Sequence, residues 1–329
     1  MKRVIPYIIL IVVLVSLLFL SLKKRKSEKI EETFIAFDTF VQITLYSPFH
    51  QHDEIMRKVE NELIRIEKTY GYKEGSLADR LSHNRAPIPI TPETKRILDT
   101  CLSLSELTHG SFDITVGLLE KAWGFKNGEP RLPLREEIDS LLPLIGYEKI
   151  TLTDSTVSLG NDAIVIDFGG IAKGYAVDRC VEMLKREGID AGIVDAGGDL
   201  RAFGKKKDGD HWTIGIRHPE KPGKVITKFM IEGGAVATSG NYERYFMENE
   251  KKYHHIIDPK DGYPPDKCVS VTIIADNALT ADALATGIFI LGPNDGMQLI
   301  ERLDGIEGII ISKENGTFTI DVSGGVIQK

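Results

Sequence analysis

Cysteine is scarce: Cys101, Cys180 and Cys268 are the only ones in 329 residues. They are odd in number and far apart, which indicates no disulfide framework, and no zinc spacing is present. Two phosphate-binding signatures are missing as well. The Walker G-x-x-x-x-G-K-[ST] spacing does not occur, and neither does the dinucleotide G-x-G-x-x-G. No period of self-similarity marks a repeat protein, and no stretch is biased enough to argue for disorder. Positive charge is short beyond the N-terminus. Residues 1–26 hold 6 of the 41 Lys and Arg and no acid, so the rest carries 35 basic against 48 acidic residues, a net of −13. A body this acidic is a poor polyanion binder, which argues against nucleic acid as a partner.

What is present reads as a foldable globular chain, with 42% hydrophobic residues and a mean hydropathy of −0.10. Val4–Leu22 is nearly all apolar, broken by Pro6, Ser16 and Ser21. As a helix it would span about 28 Å, close to the hydrocarbon core of a bilayer. Lys2 and Arg3 precede it, and Lys23, Lys24, Arg25 and Lys26 follow. A cleaved signal peptide is the closest competitor, but no small-x-small site follows the run. The expectation is an uncleaved single-pass N-terminal anchor within residues 1–30, ahead of one domain over 31–329. The stronger downstream flank would keep the body in the cytoplasm.

Thr33–Ser47 alternates like a strand, and Ile55, Val59, Leu63 and Ile66 share one helical face. Thr91-Pro92 reads as an N-cap followed by proline at the first helical position. Cys101 and Cys180 fall on apolar helical stripes, as core residues. Short strands are expected around 149–153, 163–167, 192–195, 212–217 and 224–231, with helices at 171–187, 279–290 and near 295–303. A final hairpin pairs Gly308–Ile311 with Phe318–Val322 through Asn315-Gly316. The pattern is α+β with much antiparallel pairing, without the regular β-α-β alternation of a doubly wound sheet.

Four motifs carry candidate chemistry. In Ile166-Asp167-Phe168-Gly169-Gly170-Ile171-Ala172-Lys173-Gly174-Tyr175, a strand ends, two glycines turn, and a helix starts with a lysine in its first turn. Free N–H groups and the positive helix end suit phosphate. Asp282 and Thr286 lie at i and i+4 on one helix face, where a carboxylate and a hydroxyl suit Mg²⁺. From the residues alone, a back-bonded threonine and a solvated aspartate is the stronger reading. His254-His255 precedes an Asp258-Pro259 turn and offers a general base or a plain surface histidine. Ser111-Phe112-Asp113, with Trp123-Gly124-Phe125 downstream, offers rings that stack on a planar ligand or fill the core.

Together and in order, these landmarks (FDITVG, IDFGGIAKGYAVD, DAGGDL, ATSGNYER, HIIDPKDGYP and TADALATGIFILG) resemble the ApbE family of FAD:protein FMN transferases. The resemblance runs from about Phe34 to the C-terminus. It implies a T-fold-related α+β domain with a mixed, largely antiparallel sheet and flanking helices, preceded by the transmembrane helix. It implies FAD contacts at Phe37, Tyr72, Ser111, Phe112, Asp113, Asp167, Lys173 and Ile257. Phe37-Asp38-Thr39 stands where the family usually has Met-Gly-Thr. The implied Mg²⁺ site is Gly170 through its carbonyl, Asp282, Thr286 and the backbone oxygen of Ala285. His255, Asp282 and Lys173 would be catalytic. The implied reaction splits FAD, as substrate, and attaches FMN by a phosphoester to a Thr or Ser of an acceptor flavoprotein, releasing AMP. The acceptor would be a membrane or extracytoplasmic redox protein bearing an Asp-Gly-x-Thr-type motif, with the anchored domain outside the cytoplasm. FAD hydrolysis to FMN and AMP, or flavin binding without catalysis, stays open beside it.

Overall fold

The computed structural model describes residues 28–47, 52–84, 86–126, 128–161, 163–206, 209 and 211–328. Strands β1 (Glu28–Ala36) and β2 (Thr39–Ser47) form a hairpin. The single strand expected over Thr33–Ser47 is thus cut by a turn at Phe37 and Asp38, both with positive φ (54° and 56°). That is the backbone of a two-residue hairpin turn, whose usual Asn-Gly signal is absent here. Helix α1 (His52–Tyr70) follows, burying Ile55, Val59, Leu63 and Ile66 as their spacing requires. After α2 (Leu77–His83) and the short β3 (Ile88–Pro89), α3 (Pro92–Leu107) begins at Thr91, whose hydroxyl accepts the Thr94 N–H at 3.1 Å. The short helices α4 (Gly117–Ala122) and α5 (Arg135–Leu141) lead to the β4 (Ile150–Leu152) and β5 (Thr156–Leu159) hairpin.

The second half supplies helix α6 (Ala172–Arg186) and strands β6 (Ala191–Ala196), β7 (Asp199–Phe203), β8 (Trp212–Arg217), β9 (Val225–Ile231) and β10 (Gly234–Gly240). It continues with β11 (Tyr245–Glu248), β12 (Lys251–His254), β13 (Ser270–Ala275), helices α7 (Ala278–Leu291) and α8 (Pro293–Ile300), then β14 (Glu307–Glu314), β15 (Thr317–Val322) and β16 (Ile327–Gln328). The main sheet has eight strands in the order β1-β2-β6-β7-β10-β13-β14-β15. Every neighbouring pair in it is antiparallel. Alternation divides its two faces. Ala235 and Ala237 join the helix-covered core, whereas Val236 joins the layer beneath the β16-β9-β8 sheet. Cys101, Cys180 and Cys268 are buried free thiols.

Helices α6 and α7 lie side by side on the main sheet. Gly174 permits this approach: a Cβ there would fall 2.2 Å from the Ala278 carbonyl oxygen and 2.9 Å from Asp282 Cβ. The buried Asp178 carboxylate accepts the Ala278 and Leu279 N–H groups, both at 2.9 Å, and the Arg201 guanidinium at 2.8 Å. It fixes the start of α7 from α6, with the Asn277 side chain capping Thr280 N–H at 2.8 Å.

Two expectations are corrected here. The segment 163–167 is no strand; its one ladder contact is a parallel bridge between Val165 and Val116. The transmembrane helix, with the single-pass membrane location and membrane partnership that rested on it, is corrected as well. Among the described residues no helix is long and apolar enough to cross a membrane. The apolar run Val4–Leu22 lies outside the described residues.

Candidate active site

A cavity of about 510 Å³ opens between the β1–β2 turn, the N-terminus of α6, the Asp282–Thr286 face of α7 and the base of the β11–β12 hairpin. Of the residues for which the resemblance implied flavin, metal or catalytic roles, all line it except Ala285. Ala285 is 1% exposed and packs in the core.

One end is aromatic. Tyr72 sits in the link between α1 and α2, 38% exposed. Its hydroxyl donates to Asp167 Oδ1 at 2.5 Å, and Gly169 N–H donates to the same oxygen at 2.7 Å. The Lys126 ammonium pairs with the other oxygen. Burial pushes the Asp167 carboxyl up, but Lys126 and these donors outweigh it and hold it below the usual range. Phe37 reaches the cavity from its turn, its N–H donating to Glu67 Oε1 at 3.1 Å. Ser111 and Phe112 are 2% and 3% exposed and show only an edge to the cavity. Asp113 lines the wall with its oxygens engaged: it accepts Thr115 N–H at 2.8 Å, Thr115 hydroxyl at 2.7 Å and Tyr147 N–H at 2.8 Å. Ile257 closes the wall from the Trp123 cluster. Trp123 is a core residue, its Nε1–H donating to Gly262 O at 2.9 Å.

The other end is charged. Lys173 stands in the first turn of α6, its ammonium paired with Asp199 and 3.6 Å from Asp282 Oδ2. Burial works against its charge, yet the two carboxylates outweigh that and raise its pKa. Asp282 moves up to about 7, from burial and the nearby Asp199, although Lys173 and Gly174 N–H at 3.1 Å work the other way. Thr286 Oγ1 lies 3.2 Å from Ser239 Oγ, and Asp282 and Thr286 both face the cavity from α7.

His255 follows β12. Its N–H donates to Arg244 O at 3.1 Å, and its Nδ1 lies 3.3 Å from the same oxygen. Burial first, then the Arg244 guanidinium, pushes the imidazole down to about 3, so it is neutral at pH 7. A neutral ring donating through Nδ1 leaves the Nε2 lone pair unprotonated. Its neighbour His254 points the other way, 3% exposed, with Nε2 2.8 Å from Pro265 O. His254 ends β12 and His255 lies just beyond it, so the two consecutive side chains face opposite ways and only His255 meets the cavity.

The expected metal set is corrected. Among the described residues no group of three or more His, Cys, Asp or Glu could hold a metal ion. Gly170, Asp282 and Thr286 bring a single carboxylate, and Lys173 and Gly174 already engage its Oδ2. These residues make no cation cage of their own.

The motifs also missed wall residues. Glu120, Lys126, Asp199 and Arg244 line the cavity. Asp199 lies within the DAGGDL landmark and Arg244 ends ATSGNYER, so both belong to landmarks whose spacing alone gives them no role. Glu120 and Lys126 had no local signal, because only the fold brings them to Asp167.

The sequence profile of the ApbE family matches residues 37–310. The chain belongs to the ApbE family. It is a transferase of the flavin transferase type. The FAD:protein FMN transferase of Haemophilus influenzae is 33% identical over 260 residues, which cover 75% of each chain. That of Escherichia coli K12 is 32% identical over 276 residues, covering 80% of this chain and 78% of its own. Among solved structures, the ApbE protein of Thermotoga maritima superposes with a TM-score of 0.81 at 36% identity, over 89% of this chain and 96% of its own. The flavin transferase ApbE of Vibrio cholerae gives 0.82 at 28% identity, over 91% and 98%.

Proposed function

We propose that this chain cleaves FAD at its diphosphate and transfers the FMN half to a threonine or serine hydroxyl of an acceptor flavoprotein, releasing AMP. The observation that carries this reading is one cavity with two unlike ends. Tyr72, Phe37 and Phe112 border a slot for a planar ring. Lys173, in the first turn of α6, and His255 border a place for phosphates. A volume of about 510 Å³ falls within the range of small-molecule sites.

The acceptor oxygen attacks the FMN-side phosphorus, the bond to the bridging oxygen breaks, and AMP leaves with that oxygen. The hydroxyl proton passes to His255 Nε2. The phosphates bring negative charge beside the imidazole and move its pKa back up from about 3, which makes it a better base when substrate is present. Lys173 stabilises charge on the diphosphate, and Asp199 and Asp282 hold its ammonium in place. Holding ring and phosphates in one cleft supplies the alignment that in-line transfer requires.

The test is mass spectrometry of the purified protein incubated with FAD and an acceptor domain bearing an Asp-Gly-x-Thr segment, with Mg²⁺ or with a chelator. A gain of one FMN on the acceptor with AMP released is the expected result. The chelator arm reads the magnesium dependence that the resemblance implies. FMN and AMP without a modified acceptor would replace the proposal with hydrolysis, and intact FAD in both arms would refute cleavage.

A further inference from the structure

Lys126 lies outside every motif, yet its ammonium is buried beneath the cavity wall. No part of Nζ reaches solvent and it has no hydrogen bond of good geometry among the described residues. It meets the Asp167 carboxylate and stands 3.7 Å from the centroid of the Tyr72 ring. The chain brings it there by a sharp turn. Trp123 is anchored in the core, and Gly124 takes φ 74°, where a Cβ would lie 2.1 Å from Glu129 O. A buried lysine is costly unless its charge is matched. Here Asp167 matches it, with Glu120 beside them, buried and pushed up to about 8 by that burial. Glu120 is thus a neutral acid at pH 7, and the Lys126–Asp167 pair balances.

The geometry fixes Tyr72 from two directions. Its hydroxyl is held by Asp167, close to Gly169, where a Cβ would come within 2.4 Å of that oxygen. One face of its ring is covered by Lys126, and because Nζ is sealed from solvent, that face is closed to ligands. Only the opposite face remains for stacking. We infer that Lys126 is a positioning residue, which holds the Tyr72 ring and the Asp167 carboxylate in the orientation that receives the planar ring of the substrate. This rests on the flavin reading of the cavity. Lys126 acts through Tyr72 and Asp167 and does not touch the reacting phosphorus.

The experiment titrates FAD into the full-length protein, following flavin fluorescence, for wild type, K126M, K126R and K126M/E120Q at pH 5, 6 and 7. Glu120 stays protonated over this range, Tyr72 does not titrate in it, and the Arg244 guanidinium also faces the cluster. The expected result for K126M is a Kd for FAD about tenfold higher, worsening toward pH 5 as Asp167 loses its counter-ion and protonates. K126R should recover to within about threefold of wild type, because it restores the cation. The KM for FAD should rise more in K126M than kcat falls at saturating FAD. Should K126M fail to fold, K126M/E120Q carries the test, since it leaves one carboxyl fewer in the cluster and still lacks the cation over Tyr72. FAD binding by the folded variant as tight as wild type from pH 5 to 7 overturns the inference and leaves the flavin reading intact. Failure of the wild type to bind FAD overturns both.

Discussion

Replacing Gly174 with alanine sets two effects of opposite sign against each other. Alanine in a helix interior is favoured over glycine by about 1 kcal/mol. Against this, the new Cβ would lie 2.2 Å from the Ala278 carbonyl oxygen and 2.9 Å from Asp282 Cβ. Both contacts are far inside van der Waals distance, and the first involves backbone that no rotamer change can move. Helices α6 and α7 must separate, and overpacking of this kind costs about 1–3 kcal/mol. The same separation lengthens the Gly174 N–H contact to Asp282 Oδ2, now 3.1 Å, a hydrogen bond to a charged group worth about 1.5–3 kcal/mol. The clash therefore wins, with a net loss of about 2–4 kcal/mol. At roughly 2 °C per kcal/mol for a chain of this size, the melting temperature of G174A should fall by about 4–8 °C. The urea midpoint should fall with little change in m. Because Asp282 and Lys173 move with the two helices, kcat/KM for FAD cleavage should fall as well. A melting temperature equal to or above wild type would refute the claim that the α6–α7 approach requires a glycine here.

Other perturbations have equally definite outcomes. H255A should lose about 10²–10³-fold in the rate of FMN transfer while its Kd for FAD changes little; a rate within threefold of wild type would remove His255 as the base. K173M leaves Asp199 and Asp282 without their cation, so it should lose about 10²-fold or more in kcat/KM and also melt earlier, read by steady-state kinetics and calorimetry together. Glu120 has a folded pKa raised from 4.5 to about 8, so the folded state holds a proton that the unfolded chain has released, and its contribution to stability is full at low pH and declines as pH rises through 5 to 8. E120Q should flatten that decline in melting temperature, and an unchanged slope would contradict the assignment. T91A removes the cap on Thr94 N–H and should cost about 1 kcal/mol in urea unfolding without altering kcat.

Features set by neighbours in the chain were legible in the sequence, because periodicity and caps act locally. The 4-4-3 spacing of Ile55, Val59, Leu63 and Ile66 marked the buried face of α1, and Thr91-Pro92 marked the start of α3. Asn315-Gly316 marked its hairpin because both residues accept positive φ. The turn at Phe37-Asp38 gave no such signal, so one strand was expected where two are found. The segment 163–167 has the composition of a strand but forms a single bridge, to Val116, and no ladder, since pairing is a property of the partner as much as of the segment.

The candidate site divides in the same way. The sequence by itself put Asp282 and Thr286 on one helix face, Lys173 in a first helical turn, and His255 beside an Asp-Pro turn, each from spacing over a few residues. It also named the family, through motifs whose order is a property of the chain. The tertiary structure alone decided which of these meet. It set His255 in the cavity and His254 in the core, and it engaged the Asp113 oxygens within its own loop. It gathered Glu120, Lys126 and Asp167 behind Tyr72 from separate elements. Sequence distance carries no information about such encounters, because burial and Coulomb forces act through space and depend on how the helices and the sheet close around them.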